Sequence, residues 1–159
     1  MSAVREFGVR PFEEVTVGEL ASAANVTTGA LYHHFGSKLG LYSFVREDVE
    51  RRLLDRLEGA AAAAGSTSDR SAAVTAALVV GFDFAVRQGF LHILGNPPAG
   101  TEGDQLAEVL TSFTDPAPPP LGRVLAAAWR AALTAVADGV PPEQARDALL
   151  AFEIRIGKH

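Results

Sequence analysis

Between Asn25 and Lys38 the chain presents threonines, a tyrosine, two histidines and a lysine, but no acid, and Lys38 is the only formal charge. Acids crowd both flanks: Glu13, Glu14 and Glu19 before the window, and Glu47, Asp48 and Glu50 after it. Hydroxyl, imidazole and ammonium groups can meet phosphate and base edges, and a surface that docks on phosphate must exclude carboxylates. His33-His34 also raises metal chemistry. Neighbouring helical side chains point about 100° apart, however, so the pair cannot grip one ion, and no metal is expected. His33 then reads as a phosphate or base contact and His34 as packing. Tyr32 reads either as a core aromatic or, preferably, as half-buried with its hydroxyl on phosphate. The chain has no cysteine, which excludes disulfides, thiolate nucleophiles and cysteine-ligated zinc. Asp83 stands in an apolar stretch and could pair with Arg87, face a cavity or act as a catalytic carboxylate. No base or nucleophile sits at a recognisable spacing from it, so the chain is not read as an enzyme and no cofactor is expected.

The chain has 159 residues, 48% of them hydrophobic, enough to bury a core. A net charge of −5 argues mildly against a nucleic-acid binder, but the acid-free window matters more than the sum. Residues 1–6 contain no apolar stretch of the signal-peptide kind, and no apolar run approaches the roughly 18 residues of a membrane span. The expectation is a cytoplasmic protein without a membrane partner.

Only helices are expected to position these groups. Thr16-Val17-Gly18-Glu19 is a T-x-x-E capping box that opens a short helix over 16–24. Asn25-Val26 makes a turn. Thr27 caps a second short helix over 28–35, which Gly36 ends. From Ser37 a long helix runs to about residue 64, with Leu41, Val45, Val49, Leu53 and Leu57 as its apolar stripe and Glu47–Arg51 and Asp48–Arg52 as outward i,i+4 pairs. Further helices are read over 69–88, 90–94, 101–113 (with Thr101 as cap), 121–138 and 142–156. Two short helices about a tight turn are a helix-turn-helix, in which the first helix braces on phosphate and the second lays its N-terminal residues on base edges.

The string Val15-Thr16-Val17-Gly18-Glu19-Leu20-Ala21, then Ala24 through Lys38, then Leu41, resembles the headpiece of tetracycline-repressor-like (TetR) regulators. Gly29-Ala30-Leu31-Tyr32-His33-His34-Phe35-Gly36-Ser37-Lys38 is its most diagnostic stretch. The resemblance covers about residues 7–49. It implies an all-α protein with an N-terminal helix-turn-helix DNA-binding headpiece, residues 1–45, and a C-terminal helical ligand-binding and dimerisation bundle, residues 46–159. It also implies roles. Thr28, Gly29 and Ala30, with the cap Thr27, face bases or backbone. Tyr32 and His33 contact phosphate or base, and Lys38 contacts phosphate. Thr16 and Val17 stand where a helix N-terminus meets phosphate, while Leu20, Ala21, Leu31, Phe35 and Leu41 form the headpiece core. Three departures stand out. Pro11 replaces a usual glycine, and Gly40 weakens the start of the long helix by about 1 kcal/mol relative to alanine. The first helix also looks shortened, since the family usually carries further residues before Phe7.

The function so implied is a sequence-specific transcriptional regulator, a homodimeric repressor released from double-stranded operator DNA by a small, mostly apolar ligand. Phe82, Asp83, Val86, Phe90, His92, Phe113 and Trp129 are the candidate ligand contacts. Leu125, Ala128, Trp129, Ala132, Leu149 and Phe152 are the candidate dimer contacts, on helices whose small residues permit close approach. The alternative is a helical small-molecule-binding protein or degenerate regulator that no longer binds DNA.

Overall fold

Within the described residues, segments with a helical apolar period close into helices in the computed structural model, which describes residues 2–64, 70–98, 103–115, 117, 118 and 120–151. The described residues contain no strand. The helices are α1 (Ser2–Val9), α2 (Val17–Ala24), α3 (Thr28–Phe35), α4 (Lys38–Ala64), α5 (Arg70–Gln88), α6 (Leu91–Gly95), α7 (Gln105–Thr114), α8 (Pro120–Ala137) and α9 (Pro142–Leu150), with a 3-10 turn at Phe12–Glu14.

Local chemistry sets the boundaries. Thr16 and Glu19 form the reciprocal capping box, and Asn25 closes α2 in the left-handed conformation at φ 54°. The Thr27 hydroxyl accepts from the Ala30 amide at 3.1 Å, and Ser37 does the same for the Gly40 amide at 2.9 Å. Gly36, at φ 71°, turns the chain between α3 and α4, a conformation that costs glycine little. Gly40 has a tertiary reason that its helix propensity hides. A Cβ there would stand 2.1 Å from the Phe35 carbonyl oxygen, so glycine lets α4 begin hard against the end of α3. Thr101 lies outside the described residues; the side chain that caps α7 is Asp104, which accepts from the Ala107 amide at 3.2 Å.

The long helix α4, 27 residues and so roughly 40 Å, joins the two ends of the molecule. Its stripe of Leu41, Val45, Val49, Leu53 and Leu57 is buried throughout. α4 lies along α5, α7 along α8, and α8 carries α6 and α9, while α1 rests on α2, α4 and α6. One core runs from Val4 and Phe7 through Leu20, Leu41 and Val45 to Phe82, Trp129 and Leu133. Removing such side chains from water stabilises the fold by roughly 1.5–3 kcal/mol each before entropy is counted. The division at residues 45 and 46 falls inside α4. By length and composition α5 is apolar enough to cross a membrane, contrary to the expectation that no such run exists. It buries Val74, Ala77, Leu78, Gly81, Phe82, Phe84 and Ala85 as a core helix would.

Two ion pairs differ from expectation. Asp48 holds both Arg51 and Arg52, displacing the expected Glu47–Arg51 pair, because i,i+3 and i,i+4 both bring an arginine to one carboxylate. Asp83 pairs with Arg146 of α9 at 3.2 Å. Arg87 instead donates its Nε–H to the Asp83 main-chain carbonyl at 3.0 Å.

Candidate nucleic-acid interface

Helix α3 buries none of its residues fully. Leu31 and Phe35 pack on the core, and the opposite side is left to solvent. Thr27, Thr28, Gly29, Ala30 and His33 are exposed, and Tyr32 is 51% exposed, so it is no core aromatic. Thr27 spends its hydroxyl oxygen on the Ala30 amide. The Thr28 hydroxyl therefore stands at the free end of the helix, where unused amides and the helix dipole favour an acceptor or anion. Val17 from α2, Tyr32 from α3 and Lys38 from α4 line one small crevice with Leu31, Ser37 and Leu41. Three of the expected contacts, separated in sequence, thus meet at one place on the surface. The Lys38 ammonium lies 4.2 Å from the centre of the Phe12 ring, a cation–π contact that holds the charge at this crevice.

At the start of α2 the expected phosphate position is more constrained. Glu19 Oε2 accepts from the Thr16 hydroxyl at 2.7 Å and from the Thr16 amide at 2.8 Å. The Thr16 hydroxyl oxygen accepts in turn from the Glu19 amide at 3.2 Å. The Val17 and Gly18 amides are the first-turn donors this box does not use. Arg10 is the residue that sequence reasoning missed. Its guanidinium donates to Glu19 Oε1 at 3.1 Å, to Glu6 at 3.5 Å and to the Glu14 carbonyl at 2.6 Å, tying α1, the 3-10 turn and α2 together. The i,i+4 spacing from Glu6 was the available signal.

The Thr16 hydroxyl, then its amide, then Arg10 hold the Glu19 carboxyl down at about 2, against 4.5 for the free group. A carboxylate with a depressed folded pKa stabilises fully above its unfolded value and less as pH falls. The stability difference between the wild type and Glu19→Gln should therefore be constant near neutrality and shrink between about pH 4.5 and 2. Thermal melts across that range check it; a difference that stays constant down to pH 2 would count against the box.

The candidate ligand contacts sit in different settings. Phe82 and Trp129 are core side chains at 1% and 0% exposure, and the Trp129 Nε1–H donates to the Leu78 carbonyl at 3.1 Å. Phe90 stands edge-on to Phe84 and beside Gly8 of α1, at the joint with the headpiece. Asp83 is held by Arg146, while Val86, His92 and Phe113 are half-buried. A groove of about 820 Å³ runs along α4, lined among others by Tyr42, Arg46, Glu50, Leu54, Gln105 and Glu108. Beside it a void of about 10 Å³ is lined by Glu50, Leu53, Leu54, Leu94, Gln105, Leu106, Trp129 and Arg130. Trp129 stood among the candidate ligand contacts, and Arg130 was a candidate polar group of the pocket. The sequence hides Arg46, because a lone arginine on a helix normally faces water.

Among the candidate dimer contacts, Leu125, Trp129, Ala132 and Leu149 are buried within the protomer and Ala128 is half-buried. Phe152 lies outside the described residues. The outer side of α8 carries Val124, Ala127 and Ala131, and α9 adds Ala148 and Leu150, all exposed. The 3.6-residue period explains the difference: the Leu125–Trp129–Ala132 stripe faces inward, and the small residues two positions away face out.

A family model described as bacterial regulatory proteins, tetR family, matches residues 2–43. No curated protein matches the chain.

Proposed function

We propose, from the premise that residues 2–43 form a helix-turn-helix headpiece of the tetR family and that the chain is a DNA-binding transcription regulator, that it acts in the cytoplasm as a homodimeric, ligand-released repressor. Residues 1–45 read the operator, and residues 46–159 dimerise and hold the ligand. A two-fold dimer sets two copies of α3 in successive major grooves of a palindromic site. Thr28, Gly29 and Ala30 face base edges. Tyr32, His33 and Lys38 contact phosphate or its neighbouring bases, and the amides of α2 near Thr16 and Val17 meet phosphate. The work requires no catalysis. A ligand releases DNA only through its differential affinity for the bound and free dimer geometries. The observation that carries this reading is the meeting of Val17, Tyr32 and Lys38 in one crevice beside an exposed, acid-free α3. Fluorescence anisotropy with the DNA upstream of its own gene tests it. Salt-sensitive, saturable binding that exceeds binding to scrambled DNA is expected, and equal binding to both would overturn it.

The dimer uses the outer side of α8 and α9. Small exposed side chains at Val124, Ala127 and Ala131 let two copies of α8 approach closely, and two helices from each protomer make a four-helix bundle. Arginine at Ala127 or Ala131 buries an unpartnered charge in that contact and should shift sedimentation from dimer to monomer at micromolar concentration. An unchanged dimer for both variants would exclude this face.

A further inference from the structure

Two arginines of the bundle are more than nine-tenths buried and incompletely used. Arg46 donates to the Ile93 carbonyl at 2.8 Å, to the Asn96 carbonyl at 2.9 Å and to Glu50 at 2.7 Å. Arg130 grips Asp104 through both terminal nitrogens at 2.6 Å each. In both, the Nε–H is buried with no hydrogen-bond partner among the described residues. A buried unmade donor is unfavourable, so an acceptor that reached it would be held strongly. Arg46 lines the open groove along α4, and Arg130 lines the small void next to it. Groove and void share Glu50, Leu54 and Gln105, so they adjoin. At about 10 Å³ the void has room for about one oxygen atom.

The charges around the groove restrict what can bring that oxygen. Glu47, Asp55, Glu58 and Glu108 also line it, and none of them has an ion-pair partner among the described residues, while Arg51, which lines it too, is paired with Asp48. An anion would meet these four carboxylates, and a cation has no lone pair to offer a guanidinium N–H. A pure hydrocarbon would leave both donors unmade. Leu54, Leu94, Leu106 and Trp129 supply the apolar wall. We propose that the groove and its inner void form a site for a neutral, partly apolar molecule bearing a carbonyl-type oxygen, such as a ketone or ester, with Arg130 at the void and Arg46 at the groove as its hydrogen-bond donors. This rests on the ligand-released reading above and names the class of its ligand.

Trp129, the only tryptophan in the chain, lines the void and reports occupancy through its emission. Four probes of matched shape suit the test: cyclohexyl methyl ketone, cyclohexanecarboxylate, cyclohexylmethylammonium and ethylcyclohexane. Titrated into the full-length protein at pH 7, the ketone should bind at least tenfold more tightly than each of the others. Arg46→Lys, which keeps the charge and loses the Nε–H, should remove most of that preference. Glu58→Gln with Glu108→Gln, both at exposed positions, should improve carboxylate binding several-fold relative to the ketone. Tightest binding of the carboxylate, ammonium or hydrocarbon overturns the assignment, as does no response to the ketone, which would mean that water serves the two donors. A compound found by screening that releases operator DNA equally from wild type and Arg46→Lys also overturns it, yet leaves ligand release standing. Absence of any releasing compound removes the ligand-released reading itself.

Discussion

Replacing Thr28, Tyr32 and Lys38 together with alanine should lower operator affinity by more than about 100-fold at physiological salt while leaving the fold intact. Thr28 and Tyr32 are exposed, Lys38 is half-buried, and none carries core packing, so lost binding will not be lost folding. The single variants should separate the roles. Lys38→Ala removes one phosphate contact, weakens all sequences about equally and lowers the salt slope by about one unit. Thr28→Ala should change sequence preference, by about 1–3 kcal/mol at one base position, since the start of a recognition helix faces base edges. Phe12→Leu removes the ring beneath Lys38 and should weaken binding in the same direction as Lys38→Ala, by less. Anisotropy titrations at several salt concentrations measure all three. Wild-type affinity in the triple variant would mean that α3 is not the DNA reader.

Trp129→Ala should destabilise the protein by about 3–5 kcal/mol, the largest single loss expected in the bundle. The side chain is 0% exposed, and its ring stands over Gly81 of α5. Alanine would therefore leave a cavity walled by helices that cannot all collapse into it. Trp129→Phe divides the loss. It keeps most of the apolar burial but removes the Nε1–H donated to the Leu78 carbonyl, and should cost about 1–2 kcal/mol. Urea unfolding at one fixed protomer concentration measures both, since a dimer's apparent stability varies with concentration. Equal costs for the two variants would show that the hydrogen bond, not the packing, makes this site.

Local signals reached the headpiece well because its boundaries are decided within a few residues. The Thr16–Glu19 box, the Thr27 and Ser37 caps and the turn at Gly36 each rest on hydrogen bonds spanning three residues or on a single backbone angle. The α4 stripe was legible for the same reason: its period alone says which side must be covered. The ligand and dimer candidates had no such local signal. Phe82, Phe90 and Trp129 are large and apolar, and nothing local separates a residue that fills a core from one that lines a cavity.

Composition and period by themselves determined that this protein is helical, that two short helices flank a tight turn, and that an acid-free stretch runs along the second. Such features depend on residues adjacent in the chain, where dihedral preferences and capping bonds act. Tertiary structure alone decided that Val17, Tyr32 and Lys38 share a crevice and that Asp83 turns to Arg146 across 63 residues. It also decided that Arg46 and Arg130 are buried with donors to spare, and that the inward side of α8 is its leucine and tryptophan stripe. These are matters of which faces meet. Packing settles them over long separations, where sequence spacing carries no distance and the cost of a buried polar group depends on neighbours contributed by other helices.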